Sequence, residues 1–177
     1  MAKTIKMRLS ASSIQNAIEE LENYKKSLRE KAALLAERLA EEGYQSAYIT
    51  LSDHVYTGET ISSLTITQVG DTTYKLSAQS EALLFLEFGA GISGVGHPLA
   101  GEYGMGAGTY PGQTHADDPC GWWYETEDPN LAVRTSKKTG KMYGHSYGNE
   151  PYMPMYGASV VMRENLERIA KEVFGVA

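Results

Sequence analysis

The stretch "LFLEFGAGISG", Leu84 to Gly94, decides the fold class, because two incompatible readings meet in it. Gly89, Gly91 and Gly94 stand at the G-x-G-x-x-G spacing that, after an apolar strand, seats a dinucleotide pyrophosphate on a helix N-terminus. That chemistry requires the third glycine to open a helix within a βαβ unit. Gly94 is instead followed by "VGHPLAGEYGMGAG", with Pro98 and five further glycines, which cannot sustain a helix. No βαβ pattern surrounds it. The doubly wound fold is excluded, and no cofactor is expected.

Outward from that stretch the chain alternates between helical and strand patterns. Upstream, Ile5, Met7 and Leu9 alternate with Lys6 and Arg8, predicting a short half-buried strand. Ser12 and Gln15 then form a capping box. Ile14, Leu21, Leu28 and Leu35 recur every seven residues, supplemented by Ile18, Tyr24, Ala32 and Leu39. This stripe predicts a long helix that packs on its own domain and ends at about Gly43, a plausible C-cap. Next, "AYITL" (47–51) has strand composition, and "TGETISSLTITQVG" with "TTYKLSA" predicts a hairpin across Gly70-Asp71, with Gly58 marking the turn before it. "EALLFLEF" (81–88) fits a short helix or a buried strand. Near the C-terminus, Pro154 suits a first helical turn, and Ala158, Met162, Leu166, Ile169, Ala170 and Val173 form a second stripe. The expected fold class is α+β: a long N-terminal helix packed on a small antiparallel sheet, a C-terminal helix, and a long insertion.

Composition sets the limits on function. A chain of 177 residues predicts one domain, 1–177, with a loop-rich insertion at about 90–150. Hydrophobic content of 42% and charged content of 21% are those of a globular protein. The net charge of −6 disfavours nonspecific nucleic-acid binding. A single cysteine, Cys120, allows no internal disulfide, and no apolar run is long enough to span a membrane. No signal-peptide pattern opens the chain, so a cytosolically made protein is expected.

The insertion is the odd segment. Residues 89 to about 150 hold 13 of the 18 glycines and three of the four histidines, together with Tyr103, Tyr110, Trp122, Trp123, Tyr124, Tyr143 and Tyr147. No Lys or Arg occurs between Gln79 and Val133; basic charge then arrives together in "RTSKKTGK", Arg134 to Lys141, whose Lys138-Thr139-Gly140-Lys141 stretch resembles a hairpin tip. Trp122 and Trp123 lack interleaved basic residues, which favours a packed hairpin over a platform for bases.

Two chemical readings fall on the same segment. His97, His115, Cys120 and His145, with Asp117 and Asp118, are residue types that suit zinc, but no C-x-x-C or H-x₃₋₅-H pair fixes two ligands locally. No metal is expected. "PCGWWY" with the later "YGHSYG" resembles the Cys and His motifs of phage-associated cell-wall hydrolases, with Cys120 as nucleophile and His145 as base. A reactive thiolate needs a positioned base and commonly a helix N-terminus, and the residues after Cys120 make a poor helix. Glu87, amid apolar neighbours, is expected to serve a structural hydrogen-bonding role, because a buried carboxylate must be satisfied.

The order of these pieces also resembles a family. Thr57-Gly58 with Ser63-Leu64 downstream, the hairpin, the triplet Glu87-Phe88-Gly89, the aromatic insertion, and Pro151 to Pro154 entering the last helix resemble the small tail-component family of tailed bacteriophages. These are head–tail connector, tail-completion or minor capsid proteins. The resemblance spans about residues 12–174 and implies a non-enzymatic structural subunit of the neck or tail of the virion, made in the host cytoplasm. The implied partners are other copies in a ring and neighbouring connector, tail-tube or terminator proteins, with DNA passing through the lumen without specific binding, and no membrane. Gly58, Glu87, Phe88, Gly89, Pro151 and Pro154 are the implied structural motif. The expected interaction residues are Gly91, Gly94, Tyr103, Tyr110, Trp122, Trp123, Arg134, Lys137, Lys138 and Lys141, since Tyr, Trp and Arg anchor interfaces. The alternative is the Cys–His hydrolase.

Overall fold

The computed structural model describes residues 5, 6, 8, 10–54, 58–105 and 118–175. The chain is α+β. Its elements are α1 (Ala11–His54), α2 (Glu59–Ser62), β1 (Thr65–Gly70), β2 (Thr73–Ser77), α3 (Leu83–Phe88), a 3₁₀ turn (Gly91–Ser93), β3 (Trp122–Thr126), β4 (Arg134–Thr135), β5 (Met142–Ser146) and α4 (Pro154–Phe174). Ile5, Lys6 and Arg8 carry no strand; Met7 and Leu9, the rest of the expected N-terminal strand, lie outside the described residues.

Two compact units make up the chain. One contains α1 as far as Ala47, the β1–β2 hairpin and α4 from Gly157; the other contains Tyr48–Ser63 and Ala78–Tyr156.

In the first unit α1 and α4 run antiparallel. Lys31 Nζ lies 5.9 Å from the Phe174 ring centre, Arg38 pairs with Glu172 at 3.1 Å, and Glu42 pairs with Arg168. Arg168 also reaches Glu172 at 3.0 Å, and these carboxylates, Glu42 first, hold its guanidinium above the ordinary arginine value. Such exposed pairs tune register more than stability. Burial is supplied mostly by small residues: Ala40, Ala47 and Ala158 are at most 4% exposed, and Ile169 is 1% exposed. β1 and β2 form the expected antiparallel hairpin, Ile66 opposite Leu76 and Gln68 opposite Tyr74.

Two sequence expectations for α1 are corrected. The helix does not end at Gly43, and "AYITL" is not a strand. A Cβ on Gly43 would sit 2.9 Å from Met162 Sδ, so this glycine is a point of close helix–helix approach and not a cap. Ala40, Gly43, Ala47 and Leu51 recur at three- and four-residue spacing on one buried face. Helical periodicity therefore outweighs the β propensity of Tyr48, Ile49 and Thr50. A third correction concerns the expected core stripe. Ile14, Ile18, Leu21 and Leu28 are between 38% and 55% exposed, because α4 ends at Phe174, beside Lys31, and does not reach them. Leu166 of α4, also expected in the core, is exposed, and its neighbour Asn165 faces Glu42 instead.

In the second unit Gly58, left-handed at φ 59°, opens α2. "EALLFLEF" resolves to the helix α3. The aromatic part of the insertion is not a loop: β3, β5 and β4 form an antiparallel sheet in that order, with Trp122 opposite Ser146, Trp123 opposite His145 and Arg134 opposite Tyr143. Residues 136–141 make its turn, closed by Ser136 N–H to Lys141 O at 2.8 Å.

Candidate interaction surface

Of the motif residues, Glu87, Phe88, Gly89, Pro151 and Pro154 meet in space, whereas Gly58 stands apart at the start of α2. Pro154 is the first residue of α4 and has no N–H to leave unpaired. The next two orphan donors of the helix, Met155 N–H and Tyr156 N–H, donate to Glu87 Oε2 and Oε1, each at 2.8 Å. A negative carboxylate at the positive end of a helix is the favoured charge arrangement. His97 completes the site: Leu99 N–H donates to Nδ1 at 3.1 Å, so the ring proton sits on Nε2 and is donated to Glu87 Oε1 at 3.1 Å. The His97 ring packs against Phe88 at 4.4 Å and edge-on to Tyr156 at 5.3 Å. Both partners of the Glu87–His97 pair are buried, so the pair is a structural cap closed to any substrate-sized molecule.

The backbone around the cap is tied at several points. Tyr152 N–H and Met153 N–H both donate to Leu86 O, which fixes Met153 at a φ of 56° that a non-glycine residue rarely adopts. Ala90 and Asn149 exchange two backbone bonds, and the Asn149 side chain donates to Phe85 O at 2.9 Å. Gly89, at φ 80°, lies where a Cβ would meet Asn149 O at 2.7 Å and Pro151 N at 2.9 Å; only glycine fits. Gly91 and Gly94, expected in the interaction surface, are corrected: both are buried. Added Cβ atoms would meet Trp122 Cζ3 at 3.0 Å and Ala90 N at 2.6 Å, so these are packing glycines.

The exposed chemistry lies on one face of the β3–β5–β4 sheet. Residues opposite each other in an antiparallel pair project to the same side, which places Trp123, Glu125, Tyr143, His145 and Arg134 together. The Arg134 guanidinium lies 4.3 Å from the Trp123 ring centre and 5.8 Å from that of Tyr143. His145 packs edge-on to Trp123 at 4.6 Å and to Tyr147 at 4.7 Å. Trp123, Val133, His145 and Tyr147 line a shallow pocket of about 360 Å³. Trp123 is 45%, Tyr147 61% and Val133 66% exposed. At the edge of this face Lys141 donates to Glu125 at 2.8 Å; that hydrogen bond and charge hold its ammonium above the ordinary lysine value. The other face is half-buried, and there Gly144 leaves room for the Tyr124 ring.

Of the expected interaction residues, the structure brings together Trp123 and Arg134, with Lys141 at the edge. Lys137 and Lys138 are exposed in the 136–141 turn, Trp122 is half-buried, and Tyr103 is exposed with its edge toward Phe88. Tyr110, His115 and Asp117 lie outside the described residues. Among the described residues no group of three His, Cys, Asp or Glu side chains is placed to hold a metal ion. His97 spends both ring nitrogens on Glu87 and Leu99. Cys120 is exposed, its N–H bonded to Asp118; no hydrogen bond joins its side chain to His145 among the described residues, and the His145 ring is held between Trp123 and Tyr147. Sequence reasoning missed Val133 and the tie through Asn149. Val133 was legible as the residue entering a strand partner of β5; Asn149 had no local signal.

No helix among the described residues is long and apolar enough to cross a membrane. Compared with family models, curated proteins and solved structures, the chain matches none.

Proposed function

We propose that this chain is a non-enzymatic structural subunit of the head–tail joint of a tailed bacteriophage. In this reading it sits in the neck or tail of the virion, in a ring of its own copies, and contacts neighbouring connector, tail-tube or terminator proteins. DNA passes its lumen without specific binding. The carrying observation is the exposed face of Trp123, Arg134, His145 and Tyr147 on a three-stranded sheet. Trp, Tyr and Arg are the residue types that dominate protein–protein binding energy when they leave water on association. Further support comes from the two motif pieces behind the family resemblance, Glu87-Phe88-Gly89 and Pro151 to Pro154, which join in one hydrogen-bonded cap. Resemblance and geometry thus concern the same residues.

The test is an in vitro joining reaction in which purified protein is added to heads and tails from an infection lacking it. Wild-type protein and Cys120→Ser restore tail-bearing particles, whereas Trp123→Ala/Tyr147→Ala, with unchanged circular dichroism, does not. Joining by the double variant at the wild-type level moves the interface elsewhere. Failure of wild-type protein to join anything removes the reading itself.

A further inference from the structure

Within the second unit β3 is an edge strand whose outer side is open. Tyr143 O accepts Val133 N–H at 2.9 Å and Lys141 O accepts Ser136 N–H at 2.8 Å, so both residues direct their backbone groups toward β4. Backbone direction alternates along a strand, and Met142, Gly144 and Ser146 therefore bond to Thr126, Tyr124 and Trp122. Trp123 and Glu125 are left with N–H and C=O turned away from β5, and among the described residues no backbone group meets them. The devices that usually blunt such an edge are missing from β3: its pairing with β5 has no bulge, and it holds neither proline nor lysine. The side chains along this edge are also complementary. Glu125 is exposed, and the Arg134 guanidinium stacked on Trp123 pairs with no carboxylate among the described residues.

We infer that β3 pairs antiparallel with β3 of a second copy of this chain, about a two-fold axis that passes through Tyr124 perpendicular to the sheet. In this register Trp123 and Glu125 of each copy exchange both backbone bonds with Glu125 and Trp123 of the other, and every outward N–H and C=O of the strand gains a partner. Each Glu125 then lies opposite the other copy's Trp123, on the face where Arg134 covers that ring, so the unpaired guanidinium meets a carboxylate. An axis at Glu125 would set the two carboxylates against each other. An axis at Trp123 would place Glu125 opposite Gly121 and leave Arg134 without an acid. The contact is isologous and closes on itself as a dimer. It leaves both Trp123–Arg134 faces on the same side of one continuous sheet, and it does not rest on the neck assignment.

The test uses the full chain in a Cys120→Ser background. Tyr124→Cys, at a position opposite itself, forms a self-disulfide on mild oxidation, whereas Glu125→Cys, opposite Trp123, does not. Glu125→Pro removes an N–H that points away from β5, so the three-stranded sheet persists with unchanged circular dichroism. It weakens the concentration-dependent dimer seen by sedimentation about tenfold or more, and by more than Glu125→Gln, which keeps the N–H and loses only the charge. If the proline variant does not fold, the cross-link decides. Self-disulfides at 125 as readily as at 124 overturn the register. A wild-type chain that remains monomeric at every concentration, or a folded Glu125→Pro dimer as tight as wild type, overturns the pairing altogether. If the wild-type chain is monomeric and Glu125→Pro blocks joining of heads to tails, the edge belongs to a strand of another protein. The dimer is read without heads or tails, so failure of the joining reaction leaves this result standing.

Discussion

The carboxylate of Glu87 accepts the backbone N–H of Tyr156 at 2.8 Å across 69 positions of sequence. A helix whose own N-cap residue, Met153, has no side-chain acceptor thus borrows one from a distant helix, and His97 orients it. Glu87→Ala leaves two helix N–H groups and the His97 Nε2–H without their acceptor in a buried site. It is expected to cost about 3 kcal/mol or more, read as a lower urea midpoint. Glu87→Gln retains one acceptor oxygen but turns an NH₂ toward donors, with an expected cost of about 1–3 kcal/mol. A Gln variant as stable as wild type would show that the cap contributes geometry without energy.

Gly43 gives a second prediction, because its two readings differ in sign. A left-handed C-cap glycine would lose stability on Gly43→Ala. In the continuous helix observed, alanine instead gains about 1 kcal/mol of helix propensity, offset by the displacement of the flexible Met162 thioether. Thermal unfolding of Gly43→Ala should therefore fall within about 1 kcal/mol of wild type. Gly43→Leu, which must push the helices apart, should lose about 2–3 kcal/mol.

Leu21 and Leu51 separate face from core along the same helix. Leu51 is 1% exposed, and Leu51→Ala should cost about 2–5 kcal/mol by urea denaturation. Leu21 is 55% exposed, and in dilute, monomeric protein Leu21→Ala should shift stability by no more than about 0.5 kcal/mol. Equal losses for both would mean that the stripe is covered within the subunit.

These three sites mark what could be read in the sequence. The fold class, the Gly70-Asp71 hairpin and the Pro154 helix start were legible because each has a local cause: turn chemistry, or proline's fixed φ. The end of α1 was not, since a glycine that permits close helix approach is indistinguishable in sequence from one that terminates a helix. The stripe at Ile14 to Leu28 has the period of a core face; only the length of α4 decides whether anything covers it. Glu87 was legible as a carboxylate needing partners, but its partners lie ten and about seventy positions away. Trp122 and Trp123 were legible as part of a hairpin, whereas Arg134 stacking on Trp123 depends on strand order.

That stacking carries the last prediction. An anchor held in place before its partner arrives loses less freedom on binding, so the Arg134–Trp123 contact should exist in the free protein. The guanidinium, 4.3 Å from the ring centre, is in cation–π range at a partly exposed site, where such contacts contribute about 0.5–1 kcal/mol. A double-mutant cycle of Arg134→Ala and Trp123→Ala, followed by urea denaturation, should return a coupling of that size. Arg134→Lys should recover only part of it, because a compact ammonium cannot lie flat on the ring. Tryptophan fluorescence gives an independent check: Arg134→Ala should raise acrylamide quenching of Trp123, measured in a Trp122→Phe background. Zero coupling together with unchanged quenching would mean that Arg134 does not order the ring, leaving Trp123 to be organised by its contact with His145 alone.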